Sequence, residues 1–286
     1  MYYFTVSYTY NISIITHNRP ALLENTIDSV VQAVSKRDIS VYVIWQNPND
    51  VTTELTQTVL DKFKSKLTEI IVHEKKYAVA EDNIDLARIE ALNNAFSDPS
   101  IIHAIVLEDD VRIATDCLAF FESAISHESN KVNFRGINFG SKEEIGSPNG
   151  YSRIRYGIHG PASAISRKTW KKSGLANFWE KSLPRTWDGY IEPYLKTGFM
   201  VTPNLSRYID FGTGGTHSSF SNKDYFNGLQ KSFDVLSKSE KNAPEYFHEQ
   251  IPHTWRFDSK AYFSFSNPYY LFRFFLVRMR DHFEKN

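Results

Sequence analysis

The sequence predicts an α/β protein with a Rossmann-like, doubly wound, mostly parallel sheet. Short β-branched apolar runs alternate with segments of helical periodicity up to Phe121, the signature of repeated βα units. The apolar runs end in polar clusters rather than in further apolar residues. The 286-residue chain is also 41% hydrophobic and 23% charged, the composition of an ordinary globular protein with one large core or two small ones.

The elements follow in order. Asn11-Ile-Ser-Ile-Ile-Thr16 reads as a buried strand, and His17-Asn18-Arg19-Pro20 ends it, with Pro20 suited to the first turn of a helix. Leu22, Leu23, Ile27, Val30, Val31 and Val34 then recur at helical spacing. A second strand, Ser40–Trp45, stops at the turn-forming Gln46-Asn-Pro-Asn-Asp50. A helix over residues 53–66, a strand over 69–72, a helix over 82–97 and a strand over 101–107 complete the series. The last strand runs straight into Glu108-Asp109-Asp110. In such sheets ligands bind beyond the carboxyl ends of the strands. Thr16–Arg19, Gln46-Asn47 and Glu108–Asp110 all fall at those ends, so three polar clusters should meet in one crevice.

Several classes are disfavoured. The 33 Lys and Arg balance 33 Asp and Glu, so no whole-molecule field attracts nucleic acid. Cys117 is the only cysteine, which excludes an internal disulfide and a cysteine-based zinc site. Residues 1–10 lack a basic stretch followed by an apolar one, and no uncharged apolar run approaches the roughly 20 residues of a membrane span. The expectation is a cytoplasmic protein.

After Phe121 the alternation loosens into a stretch rich in Gly, Ser and Asn over 130–160, with helical patterns returning at Lys168–Ser173 and Trp187–Thr197. Arg153, Arg155, His159 and Arg167 suit either an anionic ligand or scattered surface charge. Tyr151, Trp170, Trp179 and Trp187 suit either sugar faces or the core. Near the end, Phe272, Phe275, Leu276, Met279 and Phe283 share one helical face, with Arg273, Arg280 and Lys285 off it. That amphipathic helix fits packing on the domain or peripheral contact with an anionic membrane.

Three adjacent carboxylates after an apolar strand repel one another, and a hard divalent cation relieves that repulsion. Held by few protein groups, such an ion keeps open positions for phosphate oxygens. The same triplet also suits a helix N-terminus.

The run Ala104-Ile-Val-Leu-Glu-Asp-Asp-Val-Arg-Ile-Ala114, with Phe120-Phe121, resembles the Glu-Asp-Asp region of the eukaryotic β-1,2-N-acetylglucosaminyltransferases. Trp187-Asp188 is similar to that family's tryptophan-aspartate motif. Pro203-Asn-Leu-Ser-Arg-Tyr-Ile-Asp-Phe-Gly212, with Gly215, is similar to its Pro-x-x-Ser-Arg-Thr-x-x-Phe-Gly-x-x-Gly segment. The resemblance implies a GT-A fold, an inverting mechanism, a UDP-sugar donor and Mn2+ (or Mg2+). It implies Asp110 as the metal ligand, Asp109 toward the ribose, Glu108 toward the sugar or ribose, Asp188 as general base and Arg19 near the uracil. Thr16 stands beside these at the end of the first strand.

The chain also departs from that family. Asn47 stands where the family has Asp, and Ala87 or Arg88 falls where it has a uracil-contacting His. His217, in the Gly-rich stretch 212–219, replaces a region with a serine near the diphosphate and suits either phosphate or metal contact or a solvated turn. Asp188 likewise suits a helix N-cap. The missing anchor and disulfides point to a bacterial relative in polysaccharide synthesis with a different acceptor, a glycan or lipid-linked oligosaccharide. On this reading residues 1–125 bind the nucleotide sugar, 126–265 form the acceptor-binding and catalytic half, and 266–286 form the C-terminal helix. The competing reading is a nucleotide-sugar- or carbohydrate-binding protein of the same fold with weakened turnover.

Overall fold

In the computed structural model, residues 10–34, 40–76, 83–141, 147–154, 161–174, 195, 197–210 and 247–248 are described. The βα units form where the apolar periodicity places them. Strand β1 (Tyr10–Thr16) leads to helix α1 (Pro20–Ala33), with Pro20 in its first turn, where a missing N–H costs nothing. Strand β2 (Ser40–Gln46) leads to α2 (Asp50–Phe63). The sequence places α2 three residues later; it starts early because Asn49 caps it, accepting the Thr52 N–H at 3.0 Å. Strand β3 (Glu69–Lys75) outruns its apolar stretch because parallel pairing with β2 continues to Gln46 and Lys75.

Helix α3 (Asn83–Ser97) precedes β4 (His103–Glu108), which begins two residues later than its apolar run because pairing with β1 starts at Tyr10 and His103. No helix starts at the acidic triplet. Asp109 and Asp110 form a turn into a short strand, β5 (Val111–Ile113), before α4 (Cys117–Glu128).

The second half adds β6 (Phe134–Asn138), β7 (Gly150–Ile154), β8 (Ala162–Ser166), α5 (Arg167–Ser173), β9 (Phe199–Pro203), β10 (Tyr208–Asp210) and β11 (Phe247–His248). One nine-stranded sheet results, in the order β11-β7-β9-β6-β8-β4-β1-β2-β3. Strands β3, β2, β1 and β4 are parallel, while β8 runs antiparallel to both β4 and β6. Strands β5 and β10 pair separately. The fold class is thus the predicted one, with an antiparallel strand let into the middle of the sheet. The predicted helices at 187–197 and 266–286 lie outside the described residues, apart from Leu195, which is helical, and Thr197, which lies in a turn.

Alternation along the strands feeds a core on each face. Ile12, Ile14, Val41, Val43, Ile105 and Leu107 pack with α1, α2 and α4 through Leu23, Ile27, Leu60, Phe63 and Phe121. Ile15, Ile44, Ala104 and Val106 pack with α3 through Ala87, Leu92 and Phe96. Each buried Val, Leu, Ile or Phe among them contributes about 1.5–3 kcal/mol.

Two polar groups are built into this framework. Glu128, 1% exposed at the end of α4, accepts the Tyr151 hydroxyl at 2.8 Å, two Arg153 N–H groups at 2.9 Å and Lys131 Nζ at 2.7 Å. Burial alone would raise its pKa, but the bonds from Arg153, Lys131 and Tyr151 outweigh that and lower it. His103, 3% exposed, meets the edge of Phe121 with ring centres 6.0 Å apart. Desolvation brings its pKa from 6.5 down to about 4.

Glu128→Ala removes the acceptor shared by Tyr151, Arg153 and Lys131 and should cost about 1–3 kcal/mol in chemical denaturation, since both cations can turn to solvent. His103 is neutral in folded and unfolded chains above pH 6.5, whereas between pH 6.5 and about 4 the unfolded chain alone takes up the proton. Stability should therefore fall through that window, by up to about 3 kcal/mol from this group. Urea titrations of wild type and His103→Leu at pH 7 and 4.5 measure it, and the variant should show the smaller drop.

Candidate active site

Strands β1, β2 and β4 end at one level, with Thr16 opposite Trp45 and Ile15 opposite Glu108. The chain must turn sharply there, and two asparagines do so with left-handed backbones: Asn18 at φ 53° and Asn47 at φ 44°. Asparagine tolerates that region better than most residues. The two are bonded together, Asn18 Nδ2 donating to the Asn47 carbonyl at 2.8 Å. Asn18 Oδ1 accepts from Trp45 Nε1 at 3.1 Å and from the Thr52 hydroxyl at 3.0 Å. Asn47 N–H binds the Lys75 carbonyl at 2.7 Å, which ties the turn to the end of β3.

The acidic turn is held from below. The Thr26 hydroxyl lies 2.7 Å from the carbonyls of both Asp109 and Val111 and can donate to one at a time. Glu108 N–H binds the Pro161 carbonyl at 2.9 Å, and β10 pairs with β5 just beyond. Arg207, from the Pro203–Gly212 segment, is a buried clamp for this region. It donates to Asp116 Oδ2 at 3.2 Å and to the carbonyls of Leu205 and Pro148 at 2.7 and 2.8 Å.

The three carboxylates have different surroundings. Glu108 is ion-paired with Arg88, which also approaches Asp85 at 3.7 Å. Asp109 is fully buried and saturated: Oδ2 accepts from the Thr16 hydroxyl at 2.7 Å, His17 N–H at 3.2 Å and Arg19 Nε at 3.2 Å, and Oδ1 accepts from Arg19 Nη2. Desolvation nonetheless leaves its pKa raised, against the opposing pull of Arg19, Thr16 and His17. Asp110 receives one bond, from Arg19 Nη1 to Oδ2 at 2.9 Å. Its Oδ1 is buried with no hydrogen-bond partner. For Arg19 itself burial works against the charge, but Asp109 and Asp110 overcome it and raise the pKa.

The structure thus gathers Thr16, Arg19, Asn47, Arg88, Glu108, Asp109 and Asp110 at one edge of the sheet. Arg19 and Arg88 lie on the carboxylates. Asp188 and His217 lie outside the described residues. Sequence reasoning passed over Thr26 and Trp45, and it placed Asn18 in the Thr16–Arg19 cluster without a role of its own. Of the residues with two readings, Arg153 serves Glu128, and Arg167 donates to the carbonyls of Phe96, Asp98 and Ile101. Tyr151 is buried, and Trp170 packs on Phe96. Arg155, His159, Trp179 and Trp187 lie outside the described residues.

Among the described residues no group of three His, Cys, Asp or Glu side chains is placed to hold a metal. A bare, buried carboxylate oxygen on Asp110 does fit a hard divalent cation that takes most of its ligands from elsewhere.

No protein-family model matches the sequence, and no curated protein matches it. Among solved structures, S. aureus TarS 1-349 in complex with UDP aligns with a TM-score of 0.50 at 13% identity, covering 70% of this chain and 59% of that one. A longer S. aureus TarS structure aligns with a TM-score of 0.49 at 15% identity, covering 70% of this chain and 36% of that one. The mannosyltransferase PcManGT from Pyrobaculum calidifontis, in complex with GDP-Man and Mn2+, gives 0.48 at 11% identity, covering 98% and 89%. This chain therefore spans between about a third and three fifths of the two TarS chains. The architecture is that of the GT-A glycosyltransferases.

Proposed function

We propose that this protein is an inverting, metal-dependent glycosyltransferase. It moves a sugar, GlcNAc or a related hexose, from a UDP-sugar to a hydroxyl of a glycan or lipid-linked oligosaccharide. The observation that carries this reading is the Asp109-Asp110 turn at the carboxyl edge of the parallel strands, with one buried carboxylate oxygen left bare. TarS 1-349 was crystallised with UDP on the same architecture, which supports a uridine nucleotide donor.

On this reading Asp110 holds Mn2+ or Mg2+, which when bound neutralises the charge developing on the departing diphosphate. Thr16, Arg19 and Asn47 line the nucleotide side, and Arg88 fixes Glu108 toward the sugar or ribose. Asp188 accepts the proton of the acceptor hydroxyl as that oxygen bonds to the anomeric carbon. The bond from that carbon to the diphosphate breaks on the opposite face, and UDP leaves with the electron pair. His217 supplies a contact to the diphosphate or the metal. The reaction takes place in the cytoplasm.

A thermal-shift panel of nucleotide sugars with and without Mn2+ tests the donor class; a UDP-sugar should raise the melting temperature only with metal, and not in Asp110→Asn. Release of UDP from the donor should fall about 10²–10⁴-fold in Asp188→Asn with UDP affinity retained. Metal-dependent UDP binding without any turnover in wild type would instead identify a binding protein.

A further inference from the structure

We propose that Arg19 is a built-in competitor for the metal site: its guanidinium occupies Asp110 until a cation arrives together with a diphosphate. The inference rests on Asp110 being the metal ligand. Without any ion, the acidic edge is already neutralised from within the chain, Glu108 by Arg88 and both aspartates by Arg19. The pairing is uneven. Asp109 is fully buried and takes donors from Thr16, His17 and two Arg19 nitrogens, so its hold on Arg19 is strong. Asp110 keeps Arg19 by a single bond and leaves its other oxygen bare.

Arg19 is anchored at both ends, in the backbone and on Asp109. Its backbone begins α1, its carbonyl accepting the N–H groups of Leu22 and Leu23 at 3.1 and 3.0 Å, and Pro20 fixes the next dihedral. Its guanidinium is a rigid planar fork held on Asp109 through Nε and Nη2, so the bond from Nη1 opens by a turn of the Asp110 carboxylate, which has no other hydrogen bond.

A bare divalent cation on the free Oδ1 must sit beside a positive guanidinium that holds Oδ2 of the same carboxylate, which opposes binding. A cation that comes with a nucleoside diphosphate brings compensating negative charge, and its phosphate oxygens give the released N–H a new acceptor. Arg19 therefore makes the site discriminate between a free ion and a metal–nucleotide complex.

Mn2+ binding, followed by electron paramagnetic resonance of the free ion, tests this in wild type, Arg19→Gln and Arg19→Lys, with and without UDP. Arg19→Lys keeps a positive charge for Asp109 but cannot span both carboxylates, so it guards against loss of fold in the Gln variant. Without UDP, both variants should bind Mn2+ more tightly than wild type, by about tenfold for Gln, the scale of one charge-assisted hydrogen bond. The gain in Mn2+ affinity on adding UDP should shrink correspondingly. Mn2+ affinity in folded Arg19→Lys equal to or weaker than wild type overturns the proposal. Absence of Mn2+ binding to wild type even with UDP overturns the reading of Asp110 itself, and the competition with it.

Discussion

The buried pairing of Arg19 with Asp109 is the constraint on which the edge of the sheet depends. A carboxylate with no solvent contact is expensive unless its lone pairs are filled, and here they are filled from the first βα turn. That one carboxylate links the end of β4 to the end of β1 and to the start of α1. Breaking a pair of this kind leaves a lone charge in the interior, which costs far more than the pair itself contributes. The position of Asp110, one residue on, follows from the fixity of its neighbour.

Rigidity spreads outward from there through groups that do no chemistry themselves. Thr26 on α1 supports the carbonyls of the acidic turn, Arg207 ties Asp116, just past β5, to residues 148 and 205, and Asn18 bolts the first turn to the second. An acidic turn carried on an unsupported loop would scatter its carboxylates; these contacts place them on the scaffold's own register.

Much of this was legible in the sequence, and the reason differs by element. Strands β1, β2 and β4 were readable because burial on both faces leaves an almost unbroken apolar run. The extent of β3 was not, because its last residues, His73-Glu-Lys75, are polar and are held by β2 rather than by their own preference. The early start of α2 depended on the side-chain cap from Asn49, inside a stretch that also reads as a turn. The acidic turn was found by its charge. Its partners were less visible: Arg19 reads as a nucleotide contact by resemblance, and only three-dimensional proximity shows it on Asp109 and Asp110. The place of β8 was beyond reach, since nothing in Ala162–Ser166 specifies direction or neighbours.

That strand has a consequence for synthesis. Because β8 lies between β4 and β6, the first four strands emerge from the ribosome with one side of β4 bare, its amides and carbonyls unmet until about residue 166 has been made. An open border of that kind invites pairing with another nascent chain. Closing it later reaches back over some sixty residues, from Ser166 to His103, so the sheet is completed by a distant segment rather than by a neighbouring one.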